Sequence, residues 1–325
     1  MEHYAILRNP GHNQVFYENS AQLALAELES LSLSLTEVQL LEIAGLWYLA
    51  FSVENPLTQE ALEKIARLSS TYGLFQREGE LLRPIPLPNV QVFPQSLATI
   101  LKYQGKTNEI FTRMLLNFAL SQGNYAPKEV KLLDPVAGRG TTLFEGFSLG
   151  MNVYGTELQE KAVSDGFAHL KKFLEKGKYK HRKEERRFSG ENKVFTAKKH
   201  SIFCENQEFQ FISADSKYVN QLFSKNFFHI IVGDLPYGVQ HGRTAGGKSR
   251  SPAQLLTSCA RPWYDVLRKD GVLLLSYNTL VIPRDKIVEI LESKGFVVEK
   301  EGVLANLSHK VDASILRDIV VAKKG

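Results

Sequence analysis

VKLLDPVAGRGTTLFEGFSL, from Val130 to Leu149, is the stretch of sequence that decides the fold. An apolar run that stops on Asp134 is typical of a buried strand, and the residues from Thr141 onward have the apolar spacing of a helix. Between them, Gly138 and Gly140 allow a tight turn and the close approach of a ligand to the backbone. The positive end of the helix faces the same place. The stretch therefore predicts a strand, loop and helix of an α/β fold with a ligand at the loop.

The glycines alone leave the ligand open. Loops of this kind bind NAD, FAD and S-adenosylmethionine alike. A nicotinamide fingerprint needs a third glycine where this chain has Leu143. The acid Asp134 inside the loop favours a different ligand.

Carboxylates also follow three later apolar runs. They are Glu157 after Asn152 to Thr156, Asp215 after Phe209 to Ser213, and Asp234 after His229 to Gly233. Parallel strands bring their carboxyl ends to one edge of a sheet, where ligands of open α/β sheets bind. Four acids at such ends indicate one shared site, whereas any single one is ordinary turn chemistry.

The first 85 residues predict a small α+β unit whose order approximates β-α-β-β-α-β, the ferredoxin-like pattern. We expect strands at Tyr4 to Leu7, Gln14 to Tyr17, Val38 to Ile43, Leu46 to Val53 and Leu74 to Arg77, and helices at Ser20 to Leu31 and Thr58 to Leu68. The prolines of RPIPLPNVQVFP mark residues 86–94 as a linker. Residues 95–325 then form a second, larger domain that contains the four acids. Within it, Phe296 to Glu301 and Ile319 to Ala322 predict a late antiparallel hairpin.

The composition is that of a water-soluble globular protein, with 43% hydrophobic and 23% charged residues. MEHYAILRNP has no apolar core of the signal-peptide type, so a cytoplasmic protein without membrane association is expected. Cys204 and Cys259 lack partners at metal-ligand spacing, which argues against a metal site. The net charge of +5 permits a polyanionic partner without requiring one.

The motifs now quoted resemble a known family. D-P-x-A-G-x-G-T at Asp134 to Thr141, with Glu157, Asp215 and D-L-P-Y-G from Asp234, is similar to class I S-adenosylmethionine-dependent methyltransferases that act on amines. More narrowly, it resembles the THUMP-associated tRNA guanine-N2 group of RNA methylases. The resemblance implies a Rossmann-like, seven-stranded methyltransferase sheet of α/β class, with the ferredoxin-like domain in front. Residues 84–94 leave no room for a THUMP module, and Leu235 stands where the wider pattern has proline.

The resemblance also implies roles for individual residues. Asp134 and the loop from Ala137 to Gly140 would hold the methionine end of S-adenosylmethionine, Glu157 its ribose and Asp215 its adenine amine. The full predicted cofactor set is Asp134, Pro135, Ala137, Gly138, Gly140, Thr141, Glu157, Asp215, Thr107 and Glu109.

The catalytic set is Asp234, Leu235, Pro236 and Tyr237. An exocyclic amine on a base is a poor nucleophile because its lone pair is delocalised. The Asp234 carboxylate and the Leu235 carbonyl would accept its two N–H groups, and Pro236 would stiffen that pair. Tyr237 would stack on a base that has left its helix.

Residues 171–200 hold twelve Lys or Arg against four Glu. Such a block is either a solvated loop or a phosphate-binding surface, and Tyr179, Phe188 and Phe195 within it suggest stacking on bases. The predicted RNA-binding residues are Lys180, Arg182, Arg186 and Arg187. A further basic segment, 241–250, is either a closing loop or a disordered one.

The expected function is methylation of guanosine N2 in RNA, with tRNA as the expected partner. An adenine-N6 methyltransferase acting on DNA or RNA is the alternative enzyme, and a noncatalytic nucleic-acid binder is the alternative outside enzymes. The sequence leaves open whether a small activating protein is needed.

Overall fold

The structure is a computed structural model that describes residues 1–11, 14–99, 107–190, 195–237 and 251–325. Segment 241–250 therefore lies outside the described residues. Two sheets organise the chain, one of five strands and one of ten.

The N-terminal unit carries the five-stranded antiparallel sheet, in the order β2-β3-β1-β4-β5. Its elements are β1 (Glu2–Arg8), α1 (Gln14–Asn19), α2 (Ala21–Glu29), β2 (Thr36–Ile43), β3 (Leu46–Val53), α3 (Gln59–Arg67), β4 (Thr71–Glu78) and β5 (Leu81–Ile85). Alternate residues of β1 and β3 pack with one face of α2 and α3, which gives this unit its own apolar core around Ile6, Phe51 and Ile65.

One local expectation for this unit is wrong, because Gln14 to Tyr17 belongs to helix α1. The structure also adds β5, which the sequence pattern does not predict and which pairs with β4 from Glu78↔Leu81 to Leu74↔Ile85. Pro84 is tolerated there because β5 is an edge strand and one of its sides carries no ladder bonds. The helix expected from Thr58 is α3, and Thr58 is its N-cap, since the Thr58 side chain accepts from the Ala61 amide.

The ten-stranded sheet has the order β13-β15-β12-β11-β6-β7-β10-β9-β8, with β14 paired to β15. Its unit comprises α4 (Ser96–Thr99), α5 (Glu109–Gly123), β6 (Lys131–Asp134), α6 (Thr141–Ser148), β7 (Asn152–Glu157), α7 (Glu160–Lys176), β8 (His181–Ser189), β9 (Thr196–Cys204), β10 (Gln207–Ser213), α8 (Val219–Leu222), β11 (Phe228–Asp234), α9 (Pro252–Val266), β12 (Leu267–Asn278), α10 (Arg284–Glu292), β13 (Phe296–Val298), β14 (His309–Lys310) and β15 (Leu316–Lys324).

Five of these strands form a parallel Rossmann-like core. Taken in chain order as 1 to 5, β6, β7, β10, β11 and β12 lie in the spatial order 3-2-1-4-5, which reverses direction between β6 and β11. Ligands of such sheets bind outside the carboxyl ends of the strands at that reversal. The predicted antiparallel hairpin is present at the far edge, where β15 pairs with β12 and β13.

The prediction of seven strands undercounts this sheet. Three more strands belong to it: β14, and the hairpin β8–β9 that extends the sheet beyond β10. The hairpin forms from residues of the basic block. Most of its buried residues lie on β9, and Phe188 and Ala197 pack with Ile212 of β10.

Helix α5 connects the two units. On one side, the buried Asn117 amide donates to Glu27 Oε1 and to the Arg67 carbonyl, each at 2.7 Å. On the other, Arg113 forms a buried ion pair with Glu145 of α6 at 2.8 Å. The predicted linker ends on the same body, since the Val92 amide donates to the Ser148 carbonyl and Phe93 stacks on Phe147. The division of the chain at residues 85 and 95 stays a prediction.

None of the helices in the described part of the chain is long and apolar enough to cross a membrane.

Candidate active site

The glycine loop between β6 and α6 is anchored to the neighbouring strand β7. The Ala137 amide donates to the Thr156 carbonyl at 3.0 Å, and the Thr156 hydroxyl donates to the Pro135 carbonyl at 3.0 Å. Gly138 and Gly140 both have positive φ, +53° and +96°, which explains why glycine stands at each. A side chain at Gly138 would meet open space, so the loop leaves room for a ligand above it.

Asp134 lies at the base of this loop and is 3% exposed. Its Oδ1 accepts from the Val136 amide at 3.0 Å. Burial, with smaller contributions from the nearby Asp234 and Glu157 carboxylates, raises the pKa of Asp134 to about 7. These three carboxylates at one edge of the sheet therefore create an electrostatic potential that favours a bound cation.

Glu157 ends β7 and is held by two backbone amides. Gly138 donates to its Oε2 at 3.1 Å, and Gln159 donates to its Oε1 at 2.9 Å. Burial raises the pKa of Glu157 despite these hydrogen bonds. Each oxygen keeps acceptor capacity, which suits a pair of sugar hydroxyls.

Asp215 lies at the same edge, two residues beyond β10. Its side chain caps a short 3₁₀ turn by accepting from the Lys217 amide at 3.1 Å, and Lys217 Nζ is 3.7 Å from its other oxygen. The structure thus gives Asp215 a local capping contact beside the position predicted to meet an adenine amine.

Asp234 ends β11 and accepts two hydroxyl hydrogen bonds. Thr107 donates to Oδ2 at 2.6 Å and Tyr237 donates to Oδ1 at 2.5 Å. Thr107, which the resemblance places near the cofactor, therefore contacts Asp234 of the predicted catalytic set. It precedes α5, in whose first turn Glu109 lies after the cap residue Asn108.

Leu235 has a structural reason to differ from proline. Its amide donates to the Ser276 carbonyl of β12 at 2.8 Å, and its side chain is buried in the core beside α9. Proline has no N–H and would lose that bond. Leu235 continues the strand pairing by one residue beyond Asp234, while Pro236 is exposed.

The ring of Tyr237 points inward in this structure. Its hydroxyl contacts Asp234 and lies 3.4 Å from Ser276 Oγ, and Arg317 Cζ is 5.2 Å from the ring centroid. Burial and the Asp234 charge raise the pKa of Tyr237, so the phenol stays protonated and donates.

Sequence reasoning missed Arg317 and Ser276. Arg317 is the second residue of β15 and lies two residues before the start of the predicted strand. Its guanidinium lies 4.3 Å from the centroid of Phe111 on α5. A charged residue at the start of an apolar run was the available signal, but only the strand pairing shows that it faces the site.

The four predicted RNA-binding residues are spread along β8 and the residues just before it, and Arg182 and Arg186 both pair with Glu184 between them. Strand pairing places His181 opposite Cys204 at the amino edge of the sheet, so Lys180 and Arg182 lie away from the site. Arg186 and Arg187 lie about 16 Å further along β8, toward the carboxyl edge. All four are exposed.

The aromatic residues of the basic block are not exposed stacking groups, which corrects that expectation. Tyr179 packs edge-on against Phe93 at 5.0 Å, and Phe195 stacks on Tyr218 at 4.5 Å. Phe188 packs with the same small cluster. These rings fix the hairpin to the body of the protein.

Across the described residues, no group of three or more His, Cys, Asp or Glu side chains is arranged to hold a metal ion. The two cysteines are buried free thiols.

Comparison with known proteins gives remote structural similarity. TrmN from Thermus thermophilus is 14% identical, with all of both chains covered and a TM-score of 0.49. An rRNA methylase from Streptococcus thermophilus is 13% identical over 62% of this chain and 91% of its own, with a TM-score of 0.38. A TehB-like SAM-dependent methyltransferase from Corynebacterium glutamicum is 16% identical over 62% of this chain and 88% of its own, with a TM-score of 0.36.

No protein-family model and no curated protein matches the chain. The assignment of a function therefore rests on the residues of the site.

The buried acid Asp134 predicts a pH-dependent stability. As pH rises from about 4 to about 7, the unfolded chain releases this proton while the folded one retains it, so stability is lost over that window and the loss is complete above it. Asp134→Asn removes this loss. We expect the variant to gain on the order of 2 kcal/mol over wild type between pH 5 and pH 8.

The measurement is denaturant unfolding of both proteins at the two pH values, without ligand. An equal difference at pH 5 and pH 8 would contradict the assignment of the raised pKa to Asp134.

Proposed function

We propose that the protein is an S-adenosylmethionine-dependent RNA methyltransferase that methylates the exocyclic N2 amine of a guanosine, with tRNA as its substrate. The observation that carries this proposal is the pair of half-sites at the reversal between β6 and β11. One half is the glycine loop with Asp134 and Glu157, and the other is Asp234-Leu235-Pro236.

The first half fits the cofactor. S-adenosylmethionine supplies a methyl group on a positively charged sulfur, and the acidic edge favours that charge. The open space above Gly138 suits the methionine end, and Glu157 suits the ribose. Pro135, Ala137, Gly140 and Thr141 complete the loop and the start of α6 in this role.

The second half fits an amine. Asp234 is held by Thr107 on one oxygen, and the Leu235 amide fixes the next peptide to β12. The carboxylate and the Leu235 carbonyl are proposed to accept the two N–H groups, which directs the nitrogen lone pair to the methyl carbon. Bound S-adenosylmethionine would supply the methyl group and keep the electron pair of the broken bond, and the amine nitrogen would release one proton to Asp234 or water.

The N-terminal unit is proposed to be a ferredoxin-like domain that docks substrate. Its order of strands and helices, extended by β5, supports that description. Arg186 and Arg187 are proposed to bind RNA phosphates, because they lie on the site side of the hairpin.

Asp234→Asn tests the chemistry. The amide places a donor against the substrate amine, so methyl transfer should fall at least about 100-fold, as when one stabilising group of an active site is removed. S-adenosylhomocysteine should still bind with wild-type affinity, because the cofactor half keeps its residues.

Transfer is measured from labelled cofactor into a transcribed tRNA pool and into DNA, followed by nucleoside analysis. Asp285→Asn on the exposed start of α10 is the matched control. N2-methylguanosine is the expected product. N6-methyladenine would select the alternative enzyme, and no product from wild type would leave a noncatalytic binder.

Two double variants test the RNA surface. Arg186→Gln with Arg187→Gln removes two charges at the end of β8 that points to the site's edge of the sheet, and Lys180→Gln with Arg182→Gln removes two at the opposite end. The first pair should reduce the salt dependence of tRNA binding by about one unit of slope per lost phosphate contact, whereas the second should change it little.

Fluorescence anisotropy with tRNA over a series of KCl concentrations gives both slopes. A larger loss for the pair at the opposite edge would contradict the proposed RNA path.

A further inference from the structure

Arg317 is a buried cation that forms no close ion pair with any residue that the structure describes, and the Asp312 carboxylate interacts with it only at longer range. The residue is 6% exposed, and among the residues that the structure describes no carboxylate lies within 4 Å of it and its Nε has no hydrogen-bond partner. Burying an unpaired charge is costly, and packing alone does not require a guanidinium there. Two aromatic rings lie near its guanidinium, Phe111 at 4.3 Å and Tyr237 at 5.2 Å, and its strand neighbours are Asn278 and His309.

Arg317 faces the second half of the site. Asp234 pairs with Ser276 of β12, and two residues further along β12 Asn278 pairs with Arg317. Because side chains alternate across a strand, Asp234, Ser276 and Arg317 project from the same face of the sheet. Helix α5 packs on that face, and the ring centroid of its Phe111 lies 4.3 Å from the Arg317 guanidinium.

Tyr237 occupies the space between these groups. It presents a flat ring beside Arg317, with a hydrogen-bond donor on Asp234. A purine whose exocyclic amine donates to Asp234 would place its six-membered ring in the same position, since an amine and a phenol hydroxyl extend about equally far from their rings.

We propose that Tyr237 holds the place of the target base in the free protein, and that Arg317, backed by Phe111, is the platform on which the extruded base stacks. The inference rests on the proposed function, because it assigns a substrate position within that site.

Exchange of the target base for Tyr237 accounts both for the inward position of the ring and for its hydrogen bond to Asp234. The entering amine replaces the phenol hydroxyl on Asp234, so the acceptor is satisfied before and after binding. The freed Tyr237 ring then covers the outer face of the base, as its sequence position predicts. In protein–RNA complexes, bases that have left their helix stack on aromatic rings and on the planes of guanidinium groups.

The platform predicts a specific loss in Arg317→Lys. The ammonium keeps the charge but not the plane, so KM for the tRNA pool should rise at least about fivefold, and by a larger factor than kcat falls. Arg284→Lys is the control, because Arg284 also lies beside β15 but bonds to Asp318 and to the Ile319 carbonyl. It should lower the melting temperature without raising KM.

The proposed role of the Tyr237 hydroxyl predicts that KM decreases when the hydroxyl is removed. Tyr237→Phe keeps the stacking ring and removes the competing hydrogen bond, so KM should fall about twofold to tenfold. Tyr237→Ala, which also removes the ring, should raise it. A rise in KM for Tyr237→Phe would overturn the place-holding role.

A binding measurement separates this inference from the proposed function. The probe is 2-aminopurine ribonucleoside monophosphate, whose fluorescence falls on stacking, titrated with S-adenosylhomocysteine present. Wild type and Arg284→Lys should quench the probe, and Arg317→Lys should bind it at least about fivefold more weakly.

The outcomes are distinct. Quenching that Arg317→Lys does not weaken, or no quenching by wild type, would overturn the platform. Absence of methyl transfer by wild type would overturn the proposed function, and the quenching result would still decide the role of Arg317. Melting and cofactor binding by each variant show whether it is folded.

Discussion

The crowding of carboxylates at one sheet edge is the constraint on which the rest of the site depends. Parallel pairing carries the ends of β6, β7 and β11 to the same place, so Asp134, Glu157 and Asp234 interact electrostatically. Like charges that are partly buried destabilise one another unless a proton or a cation is present. The folded protein is therefore destabilised by the clustering of these acids. The same clustering would favour the binding of a positively charged cofactor.

Helix α5 sets the geometry of both halves. Its buried Arg113 pairs with Glu145 of α6, the helix that begins at the glycine loop, and the segment before α5 presents Thr107 to Asp234. The N-terminal unit fixes the opposite side of α5 through Glu27, which is fully buried and accepts from Asn117 and Ser69. Removing one partner from such a buried network would leave an unpaired polar group and cost several kcal/mol. The small unit is thereby joined to the geometry of the site.

Much of the large sheet was predictable because four of its apolar runs are followed by an acid, at Asp134, Glu157, Asp215 and Asp234. The same local reasoning failed where tertiary pairing decides structure. Gln14 to Tyr17 forms a helix, the basic block forms the β8–β9 hairpin, and β5 adds to the edge of the small sheet. Arg317 was missed for the same reason, since its place opposite Asn278 depends on the pairing of β15 with β12. Leu235 shows the reverse case, because one hydrogen bond from its amide to Ser276 gives a reason for leucine where the wider pattern has proline.

The central claim is that the acidic edge holds a cationic cofactor. Titration calorimetry with S-adenosylmethionine and S-adenosylhomocysteine between pH 5.5 and 8.5 tests it most directly. The account predicts one site whose affinity for the sulfonium compound rises as pH increases through about 7, where Asp134 loses its proton, with a smaller rise for the uncharged thioether. Glu157→Gln should weaken both. Absence of binding at millimolar cofactor, or affinity for the sulfonium compound that falls as pH rises, would contradict the account.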